Sequence, residues 1–286
     1  MRFARLTTIG VGGPARAYAE CATVRELSAM VRRASAEGMA VVTIGLGSNV
    51  LAADTGVEAL VIRLVGELAA VETEGTLLRA GAGATNAVCL HRARDAGLGG
   101  LEFACAIPGT AGGGVRMNAG AYGSDWSQIL VRAFVVSAED SRWVDVEELG
   151  LSYRHSSVKP GEVVAQVEYR LTPRPATEIR AEVTELVARR KATQPTTKRT
   201  FGSVWKNPPG GLGAGALLDR CGLKGFTIGG ARISPMHANF IENAGDATAE
   251  DCLALMAESR RRVREHAGVE LEHEVVLLGG IEVPRT

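Results

Sequence analysis

The sequence lacks the features that would place it in a bilayer, in an oxidising compartment or on nucleic acid. No apolar run approaches the roughly 18 residues that a membrane-spanning helix needs. The amino terminus, Met-Arg-Phe-Ala-Arg-Leu-Thr, has neither the apolar stretch nor the cleavage site of a secretory leader, so a cytoplasmic location is expected. The five cysteines (21, 89, 105, 221 and 252) are scattered and never spaced C-x-x-C, which predicts buried thiols and no disulfide framework. The five histidines form no H-x-x-x-H or H-x-x-E-H pair, so no metal site is expected. Formal net charge is zero, with 32 basic and 32 acidic residues, and there is no polybasic tract to bind nucleic acid or an anionic membrane. Arg189-Arg190-Lys191 and Arg260-Arg261-Arg262 lie in helical stretches interleaved with acids, the pattern of a solvated helix face. The familiar nucleotide loops are missing as well. No G-x-x-x-x-G-K-[ST] occurs, and Gly45-x-Gly47-x-x-Val50 and Gly81-x-Gly83-x-x-Asn86 each lack the third glycine of a dinucleotide fingerprint.

Glycine is what the chain has in excess, 35 in 286 residues, against a usual share of about 7%. Charged residues at 22% and hydrophobic residues at 46% are those of a folded chain with a sizeable core. The glycines cluster around 10–13, 45–47, 97–100, 109–123, 210–215 and 225–230. Between them the elements declare themselves. Thr23-x-x-Glu26 is a capping box before Leu27, Met30 and Val31, and Gly38 ends that helix. Val41–Ile44 and Ala59–Leu64 read as strands, and a helix is predicted over 85–96 with Gly97 as its stop. From 129 to 171 the pattern is β, at 129–137, 143–146 and 163–171. An amphipathic helix follows over 177–192 (Ile179, Val183, Leu186, Val187, Arg190) and leads into a Pro/Thr/Lys linker. A helix over 249–267, capped by Thr248-x-x-Asp251 and closed by Gly268, precedes a final strand over 274–278. Strands and helices do not alternate regularly, so the fold class predicted is α+β.

Three glycine-rich loops abut apolar strand residues: 8–15, 45–49, and 107–114 continuing to 123. Glycine in excess costs chain entropy, and successive backbone N–H groups in such turns make nests for anions. An extended, phosphate-bearing cofactor would account for all three loops together.

Those loops carry a resemblance. The motifs are T-I-G-V-G-G-P-A at 8–15, G-L-G-S-N-V-L at 45–51, G-L-G-G-L-E-F at 97–103, I-P-G-T-A-G-G at 107–113, M-N-A-G-A-Y-G at 117–123 and Y-R-H-S at 153–156. They continue with G-S-V-W-K-N-P at 202–208, H-A-N-F at 237–240 and L-E-H-E-V at 271–275. Together and in order, they resemble the UDP-N-acetylenolpyruvoylglucosamine reductases, the flavoenzymes of peptidoglycan precursor synthesis, in their shorter branch. The resemblance implies an FAD-binding domain of the vanillyl-alcohol-oxidase (PCMH) type over 1–175, in two subdomains at about 1–66 and 67–175. A helix and linker over 176–198 would lead to a smaller substrate-binding α+β domain over 199–286, whose last strand near 274–278 returns to the active site.

By the same resemblance, Gly45, Gly47, Ser48 and Asn49 sit on the FAD pyrophosphate. Pro108, Gly109, Thr110, Gly112 and Gly113 line the flavin, with glycine letting backbone N–H groups approach, and Asn118 is a further cofactor-binding residue. The implied catalytic residues are Ser203, Arg154 and Glu274, and Asn207 contacts the nucleotide part of the UDP-sugar substrate. FAD is expected to be bound non-covalently, with NADPH as hydride donor and no covalent link at Cys105. In the implied reaction, hydride reaches the terminal vinyl carbon of the enolpyruvyl ether. Arg154 stabilises the charge that develops on the adjacent carbon and its carboxylate, Glu274 orients it or the substrate, and Ser203 supplies a proton. Rival readings are another FAD oxidase or dehydrogenase of the same fold, or a non-catalytic relative, which would not be expected to keep Ser203 and Arg154 together. The chain departs from the family pattern at Thr7 (commonly Asn), Gly114 (Ala), Trp205 (Phe) and Val276 (Arg).

Overall fold

The computed structural model describes residues 1–284; Arg285 and Thr286, the end of the expected 199–286 domain, lie outside them. The chain forms two compact units built from interleaved segments, one of Ala17–Leu46 and Ala59–Arg189, the other of Met1–Arg16, Gly47–Glu58 and the chain from Arg190 onward. The continuous boundaries expected at 175 and 199 therefore cut the chain differently from its compact units, because 1–16 and 47–58 group with the C-terminal part.

In the larger unit, helix α1 (Val24–Ala36) starts in the expected capping box. Thr23 Oγ1 accepts the Glu26 N–H at 3.2 Å, and Glu26 Oε2 accepts the Thr23 N–H at 3.3 Å. Gly38, at φ +63°, lets the chain turn away. The helix buries Leu27, Val31 and Ala34 with Leu60, Ile62 and Val136. Strand Val57–Leu64 is the centre of a three-stranded sheet between Ala15–Cys21 and Ala40–Thr43, and it runs parallel to the latter. Its near-continuous apolar run is what a strand covered on both faces requires.

A five-stranded antiparallel sheet follows, in the order Ser141–Asp145, Leu130–Val136, Val163–Arg170, Leu77–Gly81, Val71–Glu74. Helix α2 (Asn86–Asp95), capped by Thr85, and the short helix α3 (Ala111–Arg116), capped by Thr110, share a core with it that includes Leu78, Leu90, Val115, Trp126, Val167 and Tyr169. Helix α4 (Ala176–Thr193) matches the expected span. Only Ile179 is fully buried, while Val183, Leu186, Val187 and Arg190 are half-buried along the expected stripe.

The smaller unit is an antiparallel sheet in the order Thr200–Ser203, Phe240–Asn243, Ala231–Ile233, Thr227–Ile228. Helices α5 (Ala214–Arg220) and α6 (Ala249–Ala267) bury Leu218, Cys252, Leu255 and Met256 in one core with Phe201, Trp205 and Ile233. Helix α6 has the expected capping box and ends at Gly268, φ +65°. Asp54, from the early part of the chain, accepts the Ala249 N–H at 2.7 Å, an anion at a helix N-terminus as the helix dipole favours. The last strand begins at Val276 instead of Glu274, and Val276–Leu278 pairs in parallel with Val50–Ala52. Among the described residues, no helix is long and apolar enough to cross a membrane and no group of His, Cys, Asp and Glu could hold a metal ion.

Candidate active site

The residues expected to bind and react fall into two clusters, one in each unit. In the larger unit the 107–123 loop is organised by Thr110. Its Oγ1 accepts the Gly113 N–H at 3.4 Å as the cap of α3. The Ala111 N–H donates to Ala84 O at 2.8 Å and the Gly112 N–H to Ala82 O at 2.9 Å. Backbone N–H groups expected to face the flavin are thus engaged within the protein at 111–113, and Gly112 answers a packing demand of its own. A Cβ on Gly112 would lie 2.7 Å from the Ala82 Cβ, one on Gly45 would lie 2.6 Å from Thr110 Oγ1, and one on Gly114 would lie 2.7 Å from the Trp126 indole. Glycine at these positions brings protein surfaces together. The departure at Gly114 has the same cause. Trp126 lies against that helix face, donates from Nε1 to Tyr169 Oη at 2.6 Å, and meets Phe103 edge-on.

Arg154 sits at the second position of a two-residue turn closed by reciprocal hydrogen bonds between Ser152 and His155, 3.1 Å each. Its φ of +56° is unusual for a residue other than glycine. The guanidinium donates to Gly120 O at 3.0 Å and stacks on the Tyr153 ring. Asn118, also at positive φ (+36°), is 2% exposed. Its Nδ2 donates to Ser152 O at 2.9 Å and its Oδ1 accepts the Ser127 N–H at 3.0 Å. Ser156 Oγ donates to Arg116 O at 2.7 Å. The structure therefore brings Asn118 and Arg154 together in one network. Ser156, which the motif Y-R-H-S contained without any role attached, is a second anchor of the turn.

In the smaller unit Gly47, at φ +63°, accepts the Thr8 N–H on its carbonyl at 3.1 Å, and a Cβ there would lie 2.1 Å from Leu6 O. The 8–15 loop thus packs on the G-S-N turn. Ser203 ends its strand opposite Phe240. The chain that follows is laced to the L-E-H-E-V segment. The Glu274 N–H donates to Val204 O at 2.9 Å, the Lys206 N–H donates to Glu272 O at 2.8 Å, Trp205 bridges His273, and Lys206 forms an ion pair with Glu272. Asn49 Nδ2 donates to Glu274 O at 2.9 Å. Asn207 Oδ1 accepts the Ala214 N–H at 3.0 Å, capping α5, whose own N-cap residue is Gly213. Ser203, Asn49, Glu274 and Asn207 are therefore gathered on one framework. Asn239 had no sequence-assigned role, yet its side chain pairs both ways with the Trp205 backbone, accepting from N and donating to O at 2.9 Å each. Its place in H-A-N-F was the only signal. Val276, where the family commonly has Arg, is partly exposed at the start of its strand.

The 107–113 loop leaves space of the kind a flavin ring needs. Segment 107–113 carries no charge, Pro108 is exposed, and a Cβ on Gly113 would meet nothing nearer than Thr110 Oγ1 at 3.5 Å, so a flat ligand has room there.

Residues 15–147 match the family model of an FAD binding domain, and residues 194–278 match that of the UDP-N-acetylenolpyruvoylglucosamine reductase C-terminal domain. The chain is 43% identical over 278 residues to UDP-N-acetylenolpyruvoylglucosamine reductase 2 of Symbiobacterium thermophilum, covering 96% of this chain and 90% of that protein. It is equally 43% identical to the Rubrobacter xylanophilus reductase, covering 96% and 93%. The crystal structure of the Thermus caldophilus reductase superposes with a TM-score of 0.85 at 38% identity, covering 98% of each chain.

Proposed function

The chain belongs to the UDP-N-acetylenolpyruvoylglucosamine reductase family, and from that premise we propose that it reduces the enolpyruvyl ether of UDP-N-acetylglucosamine-enolpyruvate to UDP-N-acetylmuramate. The cofactor is FAD, the hydride donor NADPH, and the process peptidoglycan precursor synthesis. The observation that carries the reading is likeness over 96% of the chain at 43% identity, with Ser203 and Arg154 both present and each built into an ordered segment. We further assign the reaction to the cytoplasm, where NADPH and nucleotide sugars are supplied.

When bound, FAD would supply the hydride-transfer chemistry that links NADPH to the terminal vinyl carbon of the substrate. The remaining work belongs to side chains. Electron density gathers on the carbon that bears the carboxylate, and a guanidinium suits it because it stays charged and can grip a carboxylate through two N–H groups. Arg154 is the group assigned, presented at the tip of its turn. That carbon must then gain a proton, and the Ser203 hydroxyl is the assigned donor. Glu274 orients the reacting groups, with its backbone fixed by Val204 and Asn49. Asn207 holds the nucleotide portion. Gly45, Gly47, Ser48 and Asn49 are assigned to the pyrophosphate and Pro108, Gly109, Thr110, Gly112 and Gly113 to the flavin, with FAD-binding and substrate-binding parts at about 1–175 and 199–286.

The test is purification followed by a visible spectrum and an NADPH-oxidation assay. A yellow protein that consumes NADPH only when the UDP-enolpyruvyl sugar is present supports the reading. A colourless protein that FAD cannot reconstitute, or one that oxidises NADPH only with another acceptor, contradicts it.

A further inference from the structure

We infer that Asn118 is a positioning residue for Arg154, acting through the Ser152–His155 turn, and not a ligand of the cofactor as its motif implied. The inference rests on the proposed role of Arg154 and deepens it.

A two-residue hairpin is not stable by itself; something else must hold it. Two backbone bonds join Ser152 and His155, and beyond them the Ser157 N–H donates to Leu149 O at 2.8 Å. Asn118 supplies a tie to the body of its unit, and the tie is unambiguous in sense. Ser152 O can only accept and the Ser127 N–H can only donate, so the amide nitrogen faces the turn and the oxygen faces residue 127. With both ends committed to backbone and the residue 2% exposed, the side chain is a fixed bracket with little surface left for a ligand. Two further ties flank it, from Ser156 Oγ to Arg116 O and from Arg154 Nη2 to Gly120 O. All three reach residues 116–120, so this short stretch holds the turn that carries Arg154. Small misplacements of a catalytic group carry large rate costs, and the bracket bonds two residues before the turn position it serves.

The test uses the FAD-bound protein and Asn118→Asp, which keeps the acceptor for Ser127 and removes the donor to Ser152. The expected variant binds FAD fully and is bleached by NADPH at the wild-type rate. Its reoxidation by the UDP-enolpyruvyl sugar falls by about tenfold to a hundredfold. Hydrogen exchange at the amides of 152–157 quickens while that of the 82–84 segment stays as it was. In an Arg154→Ala background the same change adds nothing to the loss, because both act through one group. If Asn118→Asp fails to fold, Ser156→Ala removes the neighbouring tie and is expected to slow the same half-reaction alone. Loss of FAD or slowed bleaching would overturn the inference by making Asn118 a cofactor contact; wild-type reoxidation in a variant lacking the donor would overturn it equally. Arg154→Ala with unimpaired reoxidation would instead sink the proposed role of Arg154, and this inference with it.

Discussion

Asn49 donates from its amide to the main-chain carbonyl of Glu274 at 2.9 Å, joining residues 225 positions apart. Immediately beyond, the Val276 N–H donates to Asn49 O at 3.0 Å and the strands after each residue run in parallel. The G-S-N turn is therefore a structural partner of the L-E-H-E-V segment, whatever else it binds. Asn49→Ala removes one partly buried hydrogen bond and leaves the Glu274 carbonyl without this donor. It is expected to lower stability by about 1 kcal/mol, read by denaturant titration, and to slow substrate reduction more than flavin bleaching by NADPH.

Gly114→Ala would restore the residue common in the family, yet here it is expected to destabilise. The added Cβ would stand 2.7 Å from the Trp126 ring, an overpacking that typically costs about 1–3 kcal/mol. Trp126→Phe in the same chain should recover part of that loss by shortening the ring. Additive losses in the double variant, measured by thermal or urea unfolding, would show that the two residues do not meet.

The thiols should divide by burial. Cys21, Cys89 and Cys252 are buried, and burial pushes the Cys89 and Cys252 thiols up to about 12. A thiol reagent acts on the thiolate, so at neutral pH the native protein should expose only Cys105 and Cys221 to rapid reaction. All five cysteines should react once the chain is denatured. Rapid native labelling of Cys89 or Cys252, located by peptide mapping, would contradict the packing described.

His237 gives a pH dependence with a defined sign. Burial, assisted by the positive charge of Lys224, holds its imidazole below the ordinary value of 6.5. Its Nδ1 accepts the Asn239 N–H at 3.2 Å, which requires the neutral ring. The unfolded chain takes up the proton first as pH falls below 6.5, so this residue subtracts stability progressively from there downward and nothing well above it. His237→Gln should flatten the stability profile as pH falls below 6.5. An unchanged slope in that window would show that His237 titrates normally.

The local grammar of the chain was readable. Thr23 with Glu26, Thr248 with Asp251, and the stops at Gly38, Gly97 and Gly268 all stand where spacing put them. What spacing could not show was tertiary. Grouping of 47–58 with the C-terminal part depends on a parallel pairing between strands more than 200 residues apart in sequence, and no local pattern encodes such a partner. The glycine-rich loops at 8–15, 45–49 and 107–123 read in sequence as a ligand cradle. In the structure Gly112 and Gly114 are close-approach points, and outside those loops so are Gly215 and Gly229, the last because a Cβ would lie 2.1 Å from Asp251 Oδ1. The buried asparagines 118 and 239 were invisible as brackets because their partners are backbone atoms, which look the same in every sequence.

The most direct test of the account is an anaerobic two-step experiment on the wild-type protein and Ser203→Ala. NADPH is added first to bleach the flavin, and the UDP-enolpyruvyl sugar is then added to restore its colour. The account predicts that both proteins bleach alike, that wild type regains its yellow colour and releases one UDP-N-acetylmuramate per flavin, and that Ser203→Ala stays bleached or recovers at least 1,000-fold more slowly, the loss of about 4 kcal/mol of transition-state stabilisation. Recovery of Ser203→Ala at the wild-type rate would contradict the assignment of the proton to Ser203, and a wild-type flavin that this sugar cannot reoxidise would contradict the proposed reaction itself.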